Sequence, residues 1–345
     1  MFRKGICHIS DLQSLRGLVP NRHISCSLLR LGALGAENSI QAFEMIIRDL
    51  ELSSGVCRTT YRGRLRDVDD LVGLYLLGSL APEERLEVHD WAASDGLVSS
   101  EWARHLFRMF PNCRFTASDL TLYLVEVCRG NRESYIFEPS GVPLQYVYPP
   151  FVVPFNRSDS TVFLTNRLLR MRAESGAKSL QSIVSQCQWA GFDDLTEYCV
   201  PPHRIRILPL VHPEANSMRR ETQHFRIIPH SVLSPLLQPV HVIRSMNIYH
   251  RRYFADVDIA KGAKAVFESL VLGGTWILGR TVEERKPVRN EVSILRKTQS
   301  GFQVLSRLNG GSELEESLRS WSLIDGEECL GPRSRDPGRP TSLHR

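Results

Sequence analysis

Residues 87–96 have the sequence Glu87-Val88-His89-Asp90-Trp91-Ala92-Ala93-Ser94-Asp95-Gly96. The run predicts a short β-strand, from Leu86 to His89, which ends on the acidic residue Asp90. A turn of small residues follows, and apolar residues at helical spacing then predict a helix from Ser99 to Phe110. Because small side chains leave the main chain accessible, we expect a nucleotide-like ligand to approach the backbone of this turn.

A second strand with an acidic end is predicted downstream, from Arg114 to Asp119. In an open α/β sheet, the carboxyl ends of parallel strands border the same crevice. Asp90 and Asp119 would then lie at neighbouring strand tips, where a carboxylate can accept hydrogen bonds from ribose hydroxyls. The two strands together therefore predict a ribose-binding crevice.

The composition is that of a globular protein. The 345 residues, 42% hydrophobic and 23% charged, suffice for one large α/β domain with additions. A net charge of +5 permits an RNA or acidic partner but does not indicate nucleic acid binding. The eight cysteines form no C-x-x-C pair, so we predict reduced cysteines, no metal site and a cytoplasmic protein. No uninterrupted apolar run reaches the length of a membrane span.

Hydrophobic periodicity predicts the other elements. Helices are predicted at 39–52, 67–80, 119–127, 213–221, 254–272 and 313–321, and 156–200 is predicted to be mostly helical. Strands are predicted at 204–210, 225–228, 240–244 and 275–279, with antiparallel hairpins at 135–148 and 291–308. Gly273-Gly274 is predicted to end the helix 254–272. Residues 1–35 show no clear periodicity.

Four stretches in this order resemble the motifs of class I S-adenosylmethionine-dependent methyltransferases. Val88–Gly96 resembles the first motif, a strand followed by acid-x-Gly-x-Gly-x-Gly, and Phe115–Leu120 resembles the second. Val242–Tyr249 resembles the fourth-strand motif of the chemotaxis-receptor branch, and Leu270–Gly279 resembles the helix end and fifth strand. The resemblance covers about residues 66 to 310, and the order of the four pieces carries it.

The resemblance implies a Rossmann-like α/β fold with a mostly parallel seven-stranded sheet. A closing antiparallel hairpin, N-terminal helices and an inserted hairpin/helical region complete the expected architecture. We predict a partly helical N-terminal segment at 1–65 and a methyltransferase-like domain at 66–324. Its insertion is expected at about 131–200, and residues 325–345 are expected to be a disordered basic tail.

The resemblance also implies S-adenosylmethionine as cofactor and methyl transfer to a small-molecule or protein acceptor. Backbone of the small-residue turn would meet the methionyl end, Asp119 would bind the ribose hydroxyls, and Leu120 would border the adenine. The implied cofactor-binding residues are Asp90, Ala92, Ser94, Gly96, Asp119, Leu120, His230, Ser231, Asn247 and Ile248.

The chain departs from the family motif in its turn, because Ala92 and Ser94 stand where the motif has glycine. Alanine is expected to fit if its φ angle stays negative. Methyl transfer needs an aligned acceptor more than a nucleophile, so no catalytic residue is predicted. His230 and His241 are interpreted as structural histidines, and Tyr249 either orients an acceptor or packs in the core.

Several residues keep a second interpretation. Asp90 and Asp119 could cap helices, and Asn247 could be an ordinary turn residue. Asp95 is predicted to be a solvated turn residue. The arginines of Arg58–Arg66 are predicted to form a solvated basic face, and the alternative is that they bind a phosphate or carboxylate.

Two other function classes remain open. A non-catalytic binding or scaffold protein could retain the methyltransferase fold with a degenerate glycine turn, and Ala92 and Ser94 are the feature that favours it. A nicotinamide-dependent reductase would also use a small-residue turn and an acid. The Gly273-Gly274 turn and the closing hairpin favour the methyltransferase arrangement.

Overall fold

The structure is a computed structural model of the chain. It describes residues 5–8, 23–30, 39–53, 55, 58, 60–156, 164–186, 191–192, 195–251, 253–283 and 288–319. The predicted tail 325–345 lies outside the described residues.

The described residues form helices and strands that alternate irregularly along the chain. The helices are α1 (Ser39–Asp49), α2 (Arg66–Leu77), α3 (Leu97–Met109), α4 (Leu164–Gln186), α5 (Pro213–Glu221), α6 (Asp256–Ser269) and α7 (Glu315–Arg319). The first nine strands are β1 (Glu87–Trp91), β2 (Arg114–Asp119), β3 (Tyr123–Arg129), β4 (Glu133–Phe137), β5 (Pro143–Tyr148), β6 (Phe151–Pro154), β7 (Glu197–Val200), β8 (His203–Pro209) and β9 (Phe225–Pro229). The last four are β10 (Val240–Met246), β11 (Leu270–Val282), β12 (Arg289–Lys297) and β13 (Phe302–Leu308).

Seven of these strands form one mostly parallel sheet, in the order β13-β12-β11-β10-β1-β2-β9. Starting from the edge strand β9, five of these strands lie in the order β9-β2-β1-β10-β11. When the five are numbered by their order in the sequence, this arrangement is 3-2-1-4-5, the strand order of doubly wound α/β folds. The predicted α/β class and seven-stranded sheet are confirmed. The chain divides into two compact units, Met1–Ser231 and Val232–Arg345.

In the first unit, β1, β2 and β9 are parallel neighbours. Asp90 of β1 pairs with Ala117, and Asp119 of β2 pairs with Pro229. Both acidic residues therefore lie towards the carboxyl ends of adjacent strands, as their sequence positions predict. Asp90 lies inside β1, however, because the strand continues to Trp91.

The first unit also contains an antiparallel sheet in the order β6-β5-β4-β3-β8-β7. The hairpin predicted at 135–148 is confirmed as β4 and β5, and α4 supplies part of the predicted helical structure. The prediction of a helix at 119–127 was wrong. Tyr123–Arg129 forms a strand because it pairs with β4 on one side and β8 on the other.

This second sheet is buried on both faces. Alternate strand residues point to opposite faces. Leu124 and Ile136 belong to one buried apolar cluster with Phe43 and its neighbours from the N-terminal segment. Val125 and Tyr135 face the other way and pack with Ala173 and Ala177 of α4 and their neighbours. The N-terminal segment is thus part of the core of the first unit.

In the second unit, β10 and β11 are parallel, and β12 and β13 complete the predicted antiparallel hairpin. The prediction that Gly273-Gly274 ends a helix was wrong, because α6 ends at Ser269 and both glycines lie in β11. Tyr249 belongs to the core of this unit. Its side chain is 6% exposed and its hydroxyl donates to the carbonyl of Val232 at 2.7 Å.

Candidate cofactor-binding site

Asp90 holds the start of α3. Its side chain is 4% exposed, and its Oδ2 accepts a hydrogen bond of 2.6 Å from the hydroxyl of Ser99. A buried carboxylate needs such a donor because burial removes its hydration. Asp90 therefore joins the end of β1 to the first turn of α3.

The turn after β1 has the backbone conformation that glycine favours. Ala92, Ser94 and Gly96 have φ angles of 56°, 58° and 78°. These are the three glycine positions of the motif that the sequence resembles. A negative φ was the condition under which alanine was expected to fit, and Ala92 does not meet it. The chain retains the left-handed turn without two of its glycines.

Hydrogen bonds to β2 fix this turn. The N–H of Ala93 donates to the carbonyl of Ser118 at 2.8 Å, and the N–H of Ser94 donates to Oδ2 of Asp119 at 2.9 Å. These bonds explain why the strained conformation persists, because the neighbouring strand holds the backbone of the turn in place. At Gly96 an added Cβ would lie 3.3 Å from the Cβ of Ala215, so the turn also approaches α5 closely.

Three groups among the described residues donate hydrogen bonds to the Asp119 carboxylate. Besides the Ser94 N–H on Oδ2, its Oδ1 accepts from Nη2 of Arg58 at 2.6 Å and from the N–H of Thr121 at 3.1 Å. Asp119 does not cap a helix, because β3 follows it. The Asp119 side chain is 16% exposed, so it is not fully buried.

Arg58 is buried and does not belong to a solvated face. Its side chain is 2% exposed, and its Nη2 also donates to the carbonyl of Thr121 at 2.6 Å. Arg62, by contrast, is exposed and pairs with Glu214 on α5, as a solvated residue would. The sequence allowed an arginine of this stretch to bind a carboxylate but did not identify Arg58, because no local pattern separates it from Arg62.

Asp95 is a buried acid, which contradicts its interpretation as a solvated residue. It is 1% exposed, and burial raises the pKa of its carboxyl to about 7. Its Oδ1 accepts from the N–H of Leu97 at 3.0 Å, and its carbonyl accepts from the N–H of His212 at 2.8 Å. Asp95 thus connects the turn to the first turn of α3 and to the segment before α5.

Three rings cluster at the carboxyl ends of β1 and β9. The ring of His230 lies 4.9 Å from that of Trp91 and 5.7 Å from that of His89. Burial, followed by the proximity of His230, lowers the pKa of His89 to about 3, so His89 is neutral at physiological pH. The N–H of His230 donates to the carbonyl of Asp119 at 3.1 Å, which places His230 beside the candidate ribose acid.

The other predicted residues lie in two places. Leu120 is 73% exposed next to Asp119, and Ser231 follows His230. Asn247 and Ile248 follow β10 in the second unit. Asn247 has a φ of 61°, and its Oδ1 accepts from the N–H of Thr281 at 2.6 Å, so its side chain serves the local turn.

The residues around the turn fit an adenosyl ligand in part. Among the described residues, Arg58 Nη1, Ser94 Oγ and Asp95 Oδ2 are buried polar atoms that have no hydrogen-bond partner. Such atoms are uncommon in folded proteins, and each requires an explanation such as a bound ligand or water. No described group of three His, Cys, Asp or Glu side chains could hold a metal ion, and no described helix has the length and apolarity of a transmembrane segment.

Comparison with known proteins finds only distantly similar solved structures. No family model and no curated protein matches the sequence. A sugar N-methyltransferase from Streptoalloteichus is 11% identical over 75% of this chain and 76% of its own, with a TM-score of 0.27. An N-methyltransferase from Bradyrhizobium japonicum, solved with S-adenosyl-L-homocysteine, is 11% identical over 70% and 73%, with a TM-score of 0.29.

A protein-L-isoaspartate O-methyltransferase is 8% identical over 72% of this chain and 51% of its own, with a TM-score of 0.30. All three structures are named as methyltransferases. At these identities and TM-scores, the matches assign no activity to the chain.

Proposed function

We propose that this chain binds S-adenosylmethionine against the turn 92–96 and transfers its methyl group to an acceptor. The observation that carries the proposal is the left-handed backbone of Ala92, Ser94 and Gly96. This conformation costs a residue with a side chain about 1–2 kcal/mol. Strained backbone of this kind clusters at functional sites, and here it reproduces the three glycine positions of the cofactor motif.

The proposed contacts follow from the positions of the side chains. Asp119 would accept from the ribose hydroxyls, and the exposed Leu120 would cover one side of the adenine. His230 and Ser231 follow β9 and would border the same part of the ligand. Asp90 would act through Ser99, by fixing the start of α3, and would not touch the ligand. Roles for Asn247 and Ile248 rest on the resemblance alone.

The chemistry needs little from the protein beyond alignment. S-adenosylmethionine, when bound, supplies a methyl carbon that its sulfonium already activates. The chain must hold the acceptor in line with that carbon, and correct alignment alone can contribute about 7–11 kcal/mol to lowering a barrier. The proposed acceptor is a small molecule or a protein side chain.

Isothermal titration with S-adenosylmethionine and S-adenosylhomocysteine tests the proposal. We expect saturable binding, weakened by Asp119→Asn by about 1.5–3 kcal/mol, the usual worth of a hydrogen bond to a charged group. Asp70→Asn, on the exposed face of α2, is the matched control and should not change binding. Absence of binding at millimolar ligand, or binding of a nicotinamide nucleotide instead, would contradict the proposal.

A second candidate is a non-catalytic binding or scaffold protein with this fold. The pairing of Asp119 with the buried Arg58 favours it, because that pair satisfies the carboxylate without a ligand. The melting temperature separates the two candidates, since a ligand that binds only the folded state raises it. A folded protein whose melting temperature does not change with excess S-adenosylhomocysteine would favour the scaffold.

A further inference from the structure

The number of donors on the Asp119 carboxylate limits what else it can bind. An ionised carboxylate offers about four acceptor positions. Arg58 Nη2, the Thr121 N–H and the Ser94 N–H occupy three of them. The two vicinal hydroxyls of a ribose need two positions. The ribose and the three present donors together would need about five positions, which is more than the carboxylate offers.

Arg58 is the donor that can leave without unfolding the backbone around Asp119. The Ser94 and Thr121 N–H groups belong to the main chain of the turn and of the β2–β3 connection, so moving them would deform both. Arg58 reaches Asp119 through a side chain and lies 61 residues earlier in the sequence. Movement of its guanidinium frees one acceptor position on Oδ1, which keeps the hydrogen bond from the Thr121 N–H.

The Arg58 guanidinium is also incompletely satisfied where it lies. Its Nη2 has two acceptors, the Asp119 carboxylate and the Thr121 carbonyl. Its Nη1 is buried and has no partner among the residues that the structure describes. Because a buried donor without an acceptor is unfavourable, part of the cost of removing Arg58 from this position is recovered when Nη1 regains water.

We propose that Arg58 is an internal competitor for Asp119. In the ligand-free chain its guanidinium occupies the carboxylate, and a ribose-containing ligand binds when its two hydroxyls replace it. This inference rests on the proposed function, because it assumes that Asp119 binds a ribose. In the ligand-free protein, Arg58 and Asp119 form the buried ion pair. Arg58 therefore helps to set the affinity for the cofactor.

Removing the competitor should strengthen ligand binding. Titration of S-adenosylhomocysteine should show at least a tenfold lower Kd for Arg58→Ala than for the parent protein. Arg58→Gln, which retains a shorter neutral side chain, should show a smaller gain and serves if the alanine variant does not fold. Arg62→Ala is the matched control, because Arg62 pairs with Glu214 and not with Asp119, and its Kd should equal that of the parent.

Two further comparisons test whether Arg58 and the ribose hydroxyls compete for the Asp119 carboxylate. In a double-mutant cycle, Arg58→Ala should give no gain in an Asp119→Asn background. The probe 2′,3′-dideoxyadenosine lacks both ribose hydroxyls, so the parent and Arg58→Ala should bind it equally. A gain of the same size for the dideoxy compound, or in the Asp119→Asn background, would overturn the inference.

The possible failures are distinguishable. If the parent binds S-adenosylhomocysteine and folded Arg58→Ala and Arg58→Gln bind it equally well or more weakly, the competitor role is wrong while the proposed function stands. If no folded variant, including Arg58→Ala, binds the ligand, the proposed function fails and the competitor role fails with it. Binding by Arg58→Ala alone would show that Arg58 blocks the site, which supports the competitor role and contradicts cofactor binding by the parent chain. Far-ultraviolet circular dichroism and melting curves establish that each variant is folded.

Discussion

The backbone N–H of Ser94 donates a hydrogen bond to Oδ2 of Asp119 at 2.9 Å. This bond joins a left-handed turn residue to the acid at the end of the neighbouring strand, so the shape of the turn and the position of the carboxylate depend on each other. A change at either residue should therefore affect both the stability of the turn and the binding of a ligand.

Ala92→Gly should stabilise the protein. Glycine adopts a φ near 56° without the steric cost that alanine incurs there, about 1–2 kcal/mol. Glycine is also more flexible than alanine in the unfolded chain, and this reduces the gain in stability by about 0.5–1 kcal/mol. We expect a net increase of about 0.5–1 kcal/mol in the free energy of unfolding, measured by urea denaturation. Ala93→Gly is the control, since Ala93 is not among the described residues with positive φ, and it should destabilise.

Asp95→Asn should stabilise the protein, and the gain should depend on pH. Burial raises the pKa of Asp95 from 3.8 to about 7, so between these pH values the folded state holds a proton that the unfolded state has released. Stability therefore falls as pH rises through this window and is constant above it. The difference in pKa of about three corresponds to at most about 4 kcal/mol.

Asparagine keeps an acceptor for the Leu97 N–H but does not titrate. The difference in unfolding free energy between Asp95→Asn and the parent should thus increase from about pH 4 to pH 7. Urea denaturation across this range measures it, with the exposed Asp70→Asn as control. A difference that does not vary with pH would show that Asp95 ionises normally in the folded chain.

His89→Phe should reduce the loss of stability in acid. Burial lowers the pKa of His89 to about 3, so as the pH falls from 6.5 towards 3 the unfolded state gains a proton that the folded state does not. His89 therefore contributes stability that is complete above pH 6.5 and is lost in acid. Phenylalanine retains a ring beside Trp91 and cannot be protonated.

The measurement is the change in unfolding free energy between about pH 7.5 and pH 5. We expect a smaller loss in His89→Phe than in the parent. Equal losses in the two proteins would mean that another group causes the acid sensitivity.

Gly262→Ala should destabilise the second unit, although alanine normally favours a helix by about 1 kcal/mol over glycine. A Cβ at Gly262 in α6 would lie 2.2 Å from Cε1 of the buried Tyr249. Overpacking of this kind costs about 1–3 kcal/mol. Gly73→Ala in α2 is the matched control. Its Cβ would meet only the ends of the His105 and Met109 side chains, which can move, so we expect little loss in its melting temperature.

Local patterns in the sequence determined the strands that carry the two acids. The acidic ends of the two predicted strands place Asp90 and Asp119 near the carboxyl ends of β1 and β2, and the sequence also predicts the hairpin of β4 and β5. These features depend on neighbours in sequence, which is why single-sequence reasoning identifies them. Val240–Met246 and the hairpin of β12 and β13 were predictable for the same reason.

Only the tertiary structure decided the features that join distant segments. Residues 119–127 contain apolar residues at a spacing that suits a helix or a strand, and pairing with β4 and β8 selects the strand. The left-handed φ of Ala92 depends on bonds to β2, because alanine alone disfavours it. The partner of Asp119 is Arg58, 61 residues away, and the burial that raises the pKa of Asp95 comes from the whole fold. The spacing of hydrophobic residues along the sequence determines local conformation, whereas ion pairing and desolvation depend on which segments the folded chain brings together.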